Sequence, residues 1–149
     1  TGVRRKARVI VDTGVVISAF AFGGVPKEAL LQVSRKAEIW VSPDILNEYR
    51  QVPLELEEEG KISHEQLKVL LAGIGAFMMD AQIVYPHKSI SICRDEEDNI
   101  LLEACVAAKA DYLMTGDRDL LAIDWRSLRL AGLKKLKILN PRDFISKFK

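Results

Sequence analysis

ILLEACVAAKADYLM, residues 100–114, carries two apolar patterns in one run. From Ile100 to Ala108 it is apolar nearly all round apart from Glu103, as in a helix buried on most sides. It passes with almost no linker into Asp111–Met114, a short run suited to a strand. A helix feeding straight into a strand is the half-unit from which parallel α/β sheets are built.

Outward from this run the same alternation continues. ARVIVD at 7–12 is short, β-branched and ends on an acid, which suits a buried first strand. After the Gly23-Gly24-Val25-Pro26 turn, Ala29, Leu30, Val33 and Ala37 recur at helical spacing up to a second strand at Glu38–Val41. Ser42-Pro43-Asp44 reads as N-cap, N1 and N2 of a helix that Pro53 is expected to end. Ser63-x-x-Gln66 forms a capping-box signature for a helix reaching about Met79, before a third strand around Gln82–Tyr85. Lys137–Leu139 makes a fifth strand, and Asn140-Pro141 caps a terminal helix. The expectation is an α/β chain forming a single domain over 1–149: a doubly wound, five-stranded parallel sheet with helices on both faces.

With 149 residues and 48% hydrophobic content, such a domain can bury a core without disulfides or zinc. Lys+Arg and Asp+Glu nearly cancel to a formal +1, so net charge alone does not draw the molecule to nucleic acid. Charge is nonetheless uneven. Residues 55–59 hold four glutamates, Trp125–Lys149 holds eight Lys or Arg against Asp143, and the start adds Arg4, Arg5, Lys6 and Arg8. Cys93 and Cys105 show no zinc or disulfide spacing and fit a reducing cytoplasm, with Cys105 a buried hydrophobe. No apolar stretch approaches the ~20 residues of a membrane span, and the opening Thr-Gly-Val-Arg-Arg-Lys has no signal core.

The order of elements decides where the acids go. In a right-handed parallel sheet each helix starts near the carboxyl edge where the preceding strand ended, and ligands bind at that edge. Asp12 closes strand one and Asp117 follows strand four. Glu48 lies in the first two turns of the helix after strand two, within about 9 Å of its start. Asp98 opens the helix that returns to strand four, with Asp95 and Asp119 close by. Such carboxylates repel one another and raise each other's pKa unless a hard divalent cation, Mg²⁺ or Mn²⁺, sits among them. That chemistry suits phosphodiester cleavage. Asp95, Asp98 and Asp117 could each instead cap a helix or turn, Glu48 alone would be a solvated helix residue, and Thr115 could bond a carboxylate or simply end a strand. His64 and His87 are expected to face solvent. Asp12-Thr13-Gly14 is also the aspartic-protease tripeptide, but a single copy in a helical chain argues against that activity. No Walker or dinucleotide glycine loop and no Gly-x-Ser-x-Gly elbow is present.

VIVDTGVVISAF at 9–20, VSPDILNEYRQV at 41–52, CRDEEDNILLEACVAAKADYLMTGDRDLLAI at 93–123 and KILNPRDFI at 137–145 together resemble the PIN-domain family, in particular toxin components of prokaryotic toxin-antitoxin systems. The resemblance implies a Mg²⁺- or Mn²⁺-dependent ribonuclease acting on single-stranded RNA. Asp12, Glu48, Asp98 and Asp117 would be its catalytic and metal-binding acids, with Asp119, Thr115, Asp95 and Asn99 in support. It further implies a homodimer silenced by a cognate antitoxin. Gly14 stands where the family usually has Asn, which leaves open a weakened fold that only binds RNA or protein. A receiver-like signalling domain would also cluster acids at this edge, but with one phosphorylated Asp and a late Lys. Arg94 and Arg118, beside site acids, are the candidate phosphate contacts, whereas Lys134, Lys135 and Lys137 are expected at the opposite edge.

Overall fold

Val9, Ile10 and Val11 are all fully buried in β1 (Ala7–Val11). Neighbouring strand residues point to opposite faces, so both faces of the sheet are covered at this strand. The computed structural model describes residues 5–148; Arg4 and Lys149 of the basic flanks lie outside them. β1 is central in a sheet of order β3-β2-β1-β4-β5, every pair parallel. The other strands are β2 (Ala37–Val41), β3 (Gln82–Ile83), β4 (Tyr112–Met114) and β5 (Lys137–Leu139).

The helices, in chain order, are α1 (Thr13–Phe22), α2 (Gly24–Lys36), α3 (Pro43–Glu58), α4 (His64–Met78), α5 (Glu96–Ala108), α6 (Arg118–Leu121), α7 (Trp125–Leu130) and α8 (Pro141–Lys147). From β1 the chain winds one way through β2 to β3, then returns through α5 to β4 on the other side of β1. Right-handed crossovers in opposite directions place helices on opposite faces. The reversal falls between β1 and β4, so a crevice opens there at the carboxyl edge. Val11 pairs with Met114, and the Asp12 N–H donates to the Met114 carbonyl at 2.9 Å. Asp12 and Thr115 therefore leave the sheet side by side.

Local chemistry sets the boundaries as the sequence predicts at several ends. Ser42 caps α3 with Pro43 at N1, and Ser63 and Gln66 exchange both bonds of the capping box, 2.7 and 3.1 Å. Asn140 and Pro141 open α8 in the same way.

Three local features depart from the sequence reading. Pro53 does not end α3, which continues to Glu58. Pro53 has no N–H for the Tyr49 carbonyl, a defect of about 3 kcal/mol in a helix interior. It is offset because Ile45, Tyr49 and Pro53 fall on one buried stripe at four-residue spacing. Helix α1 carries no amphipathic signal: TGVVISAFAF is apolar nearly throughout, and Val15, Val16 and Ile17 are β-branched. Gly23 and Gly24, both at positive φ, then turn the chain sharply into α2. Finally, α7 occupies what reads as a basic connection to β5.

Candidate active site

Asp12 follows directly on β1, and its two oxygens are used differently. Oδ1 accepts the Gly14 N–H at 3.4 Å, capping α1, while Oδ2 accepts the Thr115 hydroxyl at 2.6 Å. The Thr115 oxygen also accepts the Asp117 N–H at 3.0 Å. One fully buried hydroxyl thus joins the first-strand acid to the loop after β4. Burial pushes the Asp12 carboxyl up; the Thr115 and Gly14 bonds pull it down, and the Asp117 charge raises it again.

Asp117 caps α6, with Oδ1 accepting from the N–H groups of Asp119 at 2.8 Å and Leu120 at 3.3 Å. Asp95 caps α5 through the Glu97 N–H at 3.0 Å. Capping and site membership, which the sequence presents as alternatives, are combined: the cap fixes the carboxylate and consumes one oxygen. In Asp95 and Asp117 the second oxygen has no donor among the described residues.

Asp98 caps nothing. It sits in the first turn of α5 with only 7% of its surface exposed. Burial first, then the charges of Asp117, Asp95, Asp12 and Asp119, push its carboxyl up to about 6, and no hydrogen bond offsets the rise. Glu48 comes from α3, half-buried, and accepts the Thr13 hydroxyl at 3.0 Å. Its carboxyl is also raised, by burial, against the Thr13 bond, with Glu97, Asp12 and Asp95 contributing charge. All four predicted acids therefore share one field at the carboxyl edge. Among the described residues no three carboxylates, imidazoles or thiols stand close enough to chelate one ion as placed. None of these acids has a salt-bridge partner among the described residues, and neither do Arg94 and Arg118.

A cleft of about 210 Å³ opens beside them, lined by Cys93, Arg94, Asp95, Asp98, Asp119 and Ile123, among others. A larger concavity of about 590 Å³ lies between α3 and α4; its walls are mostly apolar, with Leu46, Leu71, Ile74 and Met78 beside Asn47 and Arg50, and hold no carboxylate for a metal. Asn99 does not touch the acids. Its amide accepts the Cys93 N–H at 2.9 Å and donates to the Cys93 carbonyl at 3.1 Å, holding the segment that carries Arg94 and Asp95. Glu103, the polar exception in α5, accepts the Ile90 N–H at 2.9 Å and ties down the segment before it.

Thr13 and Glu97 are site neighbours that the sequence reading does not single out. Thr13 had one available signal, its place beside Asp12. Tyr49, next to Glu48, is fully buried and donates its hydroxyl to the Val11 carbonyl, anchoring α3 to β1. His64 is exposed and meets Glu57 at 2.7 Å, and His87 is exposed too, both as expected.

Comparison with known proteins follows the same lines. Residues 8–119 match the PIN domain family. The sequence is 32% identical over 149 residues to an uncharacterized protein of Methanocaldococcus jannaschii, covering 96% of this chain and 92% of that protein. In three dimensions it is similar to a chain in the crystal structure of VapBC2 from Rickettsia felis bound to a DNA fragment from their promoter. That match has a TM-score of 0.56 and 11% identity, and it covers 88% of this chain and 98% of the other. At that identity the likeness concerns the fold.

Proposed function

This chain belongs to the PIN-domain family, and on that premise we propose that it is a metal-dependent ribonuclease hydrolysing phosphodiester bonds of single-stranded RNA. One observation supports this reading above the others: carboxylates from the end of β1, α3, α5 and the loop after β4 share a field at the switch point of the sheet, and none has a salt-bridge partner among the described residues. Structural acids are normally paired or solvated. The donors are all carboxylate oxygens, which fit a hard divalent ion.

Asp12, Glu48, Asp98 and Asp117 are the residues that would hold Mg²⁺ or Mn²⁺. When bound, such an ion neutralises phosphate charge and makes a water more acidic. The protein's own part is to place the strand, and to accept on one carboxylate the proton released as water attacks phosphorus and the P–O bond breaks. Thr115 and Thr13 orient Asp12 and Glu48 by donating to them. Asp119 and Asp95 add negative field, and Asn99 holds the wall of the cleft.

At Gly14, where the family usually has Asn, the structure leaves room for a side chain. Its φ is not positive and a Cβ there meets nothing within 4 Å, so the backbone does not demand glycine. The reading extends to a toxin role with a cognate antitoxin as partner and a homodimer as the working form, as the family resemblance implies; a VapBC2 chain of similar fold is in keeping with the antitoxin partner. The same reading makes 1–149 one nuclease domain acting in the cytoplasm, where Cys93 and Cys105 remain free thiols. The test is cleavage of a mixed RNA pool with Mn²⁺, and with EDTA as control. Cleavage that persists in EDTA, or that never appears with metal, overturns the proposal.

A further inference from the structure

The chain has two tryptophans, in opposite settings. Trp40 on β2 is half-buried, with the Arg8 guanidinium 4.6 Å from its ring centre and its indole N–H donated to Glu38. Trp125, the first residue of α7, is 62% exposed. So large an apolar side chain is usually covered when it serves packing alone.

Its position is tied to the cleft. Ile123 lines the cleft with Asp95, Asp98 and Asp119, and two residues of chain reach at most about 7 Å. The Trp125 backbone therefore stands within that distance of the Ile123 backbone. Asp124 accepts the Arg126 N–H at 3.1 Å as the cap of α7, which fixes Trp125 as the first residue of the helix. The Arg126 guanidinium lies 5.6 Å from the Trp125 ring centre, and Arg94 lines the same cleft. Among the described residues Arg94, Arg118 and Arg126 form no salt bridge. An exposed ring with one guanidinium over it, two residues from a cleft that holds another, offers its open face to a base and charge to a neighbouring phosphate.

We infer that Trp125 is a stacking platform for a base of the RNA strand whose backbone enters the acidic cleft, with Arg126 meeting an adjacent phosphate. This rests on the nuclease reading, and deepens it by assigning a residue that grips bases irrespective of sequence.

The experiment measures binding in EDTA, where the strand stays intact, using a short oligoadenylate and an abasic strand of equal length. Wild type, Trp125→Phe and Trp125→Ala are compared, and tryptophan emission is followed in a Trp40→Phe background. Trp125→Ala should weaken oligoadenylate binding about ten-fold and leave the abasic strand unaffected. Trp125→Phe should retain most of the affinity, and oligoadenylate should quench the Trp125 emission. Equal loss for both strands, or no loss for either, overturns the inference. So does a change in sedimentation of Trp125→Ala without a change in binding, which would mark a protein contact. Manganese-dependent cleavage by the wild type is scored separately. Cleavage with binding indifferent to Trp125 sinks only the platform, whereas Trp125-dependent binding without cleavage sinks only the nuclease.

Discussion

At the amino end of β1, the Arg8 N–H donates to Asp111 at 2.8 Å while Arg5 grips the same carboxylate at 3.0 and 3.2 Å. Arg8 also donates to the Ala108 carbonyl, covers Trp40 and comes within 3.8 Å of Glu38. Four residues on, at Asp12, the same strand delivers an acid among acids, its polar contacts a hydroxyl and a backbone amide. One end matches Asp111 and Glu38 with arginines and so ties β1 to β2 and to the start of β4. The other concentrates one sign of charge, which raises carboxyl pKa values and opposes folding. Cross-strand ties and the proposed chemistry thus fall at opposite ends of a five-residue strand.

The sharpest break of that contrast is Asp98→Asn, Asp12→Asn or Asp117→Asn. Each should abolish detectable Mn²⁺-dependent cleavage while leaving the metal-free melting temperature unchanged or higher, because a repulsive charge is gone. Mn²⁺ should raise the melting temperature of the wild type and not that of the triple variant. Equal metal response in the two proteins defeats the shared site.

Replacing Arg94 and Arg118 together by Ala should weaken RNA binding across all sequences and flatten its dependence on salt, measured on an Asp98→Asn background. Changing Lys134, Lys135 and Lys137 should do less, since Lys137 begins β5 at the amino edge. An unchanged slope in the arginine variant moves suspicion to those terminal cations.

Asp111→Ala probes the matched end. Removing the acceptor of a strand N–H and an exposed arginine should lower stability by about 1–2 kcal/mol with cleavage intact. Chemical denaturation reads this directly, and a loss of activity at permissive temperature would blur the division between the two ends.

A gentler effect comes from pH. The folded Asp98 carboxyl lies near 6, against about 3.9 for an ordinary aspartate. Between these values the folded chain holds more protons than the unfolded one, so metal-free stability should fall as pH rises through that window. Asp98→Asn should flatten this part of the melting profile. A wild type whose metal-free stability climbs over the same window contradicts the repulsive cluster. Smallest of all is Gly14→Asn, where open space predicts cleavage equal to or above wild type in a parallel assay. A large loss would mean that the site needs the bare backbone at that position.

Much of the acidic end is legible in the chain because strand ends and helix starts are local signals. ARVIVD and the run into Met114 announce their strands, and each places an acid at or just past its end. The supporting contacts are another matter. The bond of Thr13 to Glu48 spans 35 residues and that of Thr115 to Asp12 spans 103, so neither leaves a trace in spacing. The matched end was equally hidden, since Arg8 and Asp111 meet only after β1 and β4 pair. Helix α1 is illegible for the opposite reason: a segment apolar on nearly every side has no period to read. At Pro53 intrinsic propensity points to a helix end, and burial of the stripe it shares with Tyr49 outweighs it.

The Thr115 hydroxyl, which bonds Asp12 and receives the Asp117 N–H, also bears on synthesis. Thr115 is held in place by its own N–H on the Leu139 carbonyl of β5, at 3.0 Å. A ribosome releases Asp12 early, but its partner hydroxyl and the strand that seats it come from the last third of the chain. The proposed site is therefore assembled only once β5 has been made, and a chain cut short before it keeps the acids without the Leu139 carbonyl that seats Thr115.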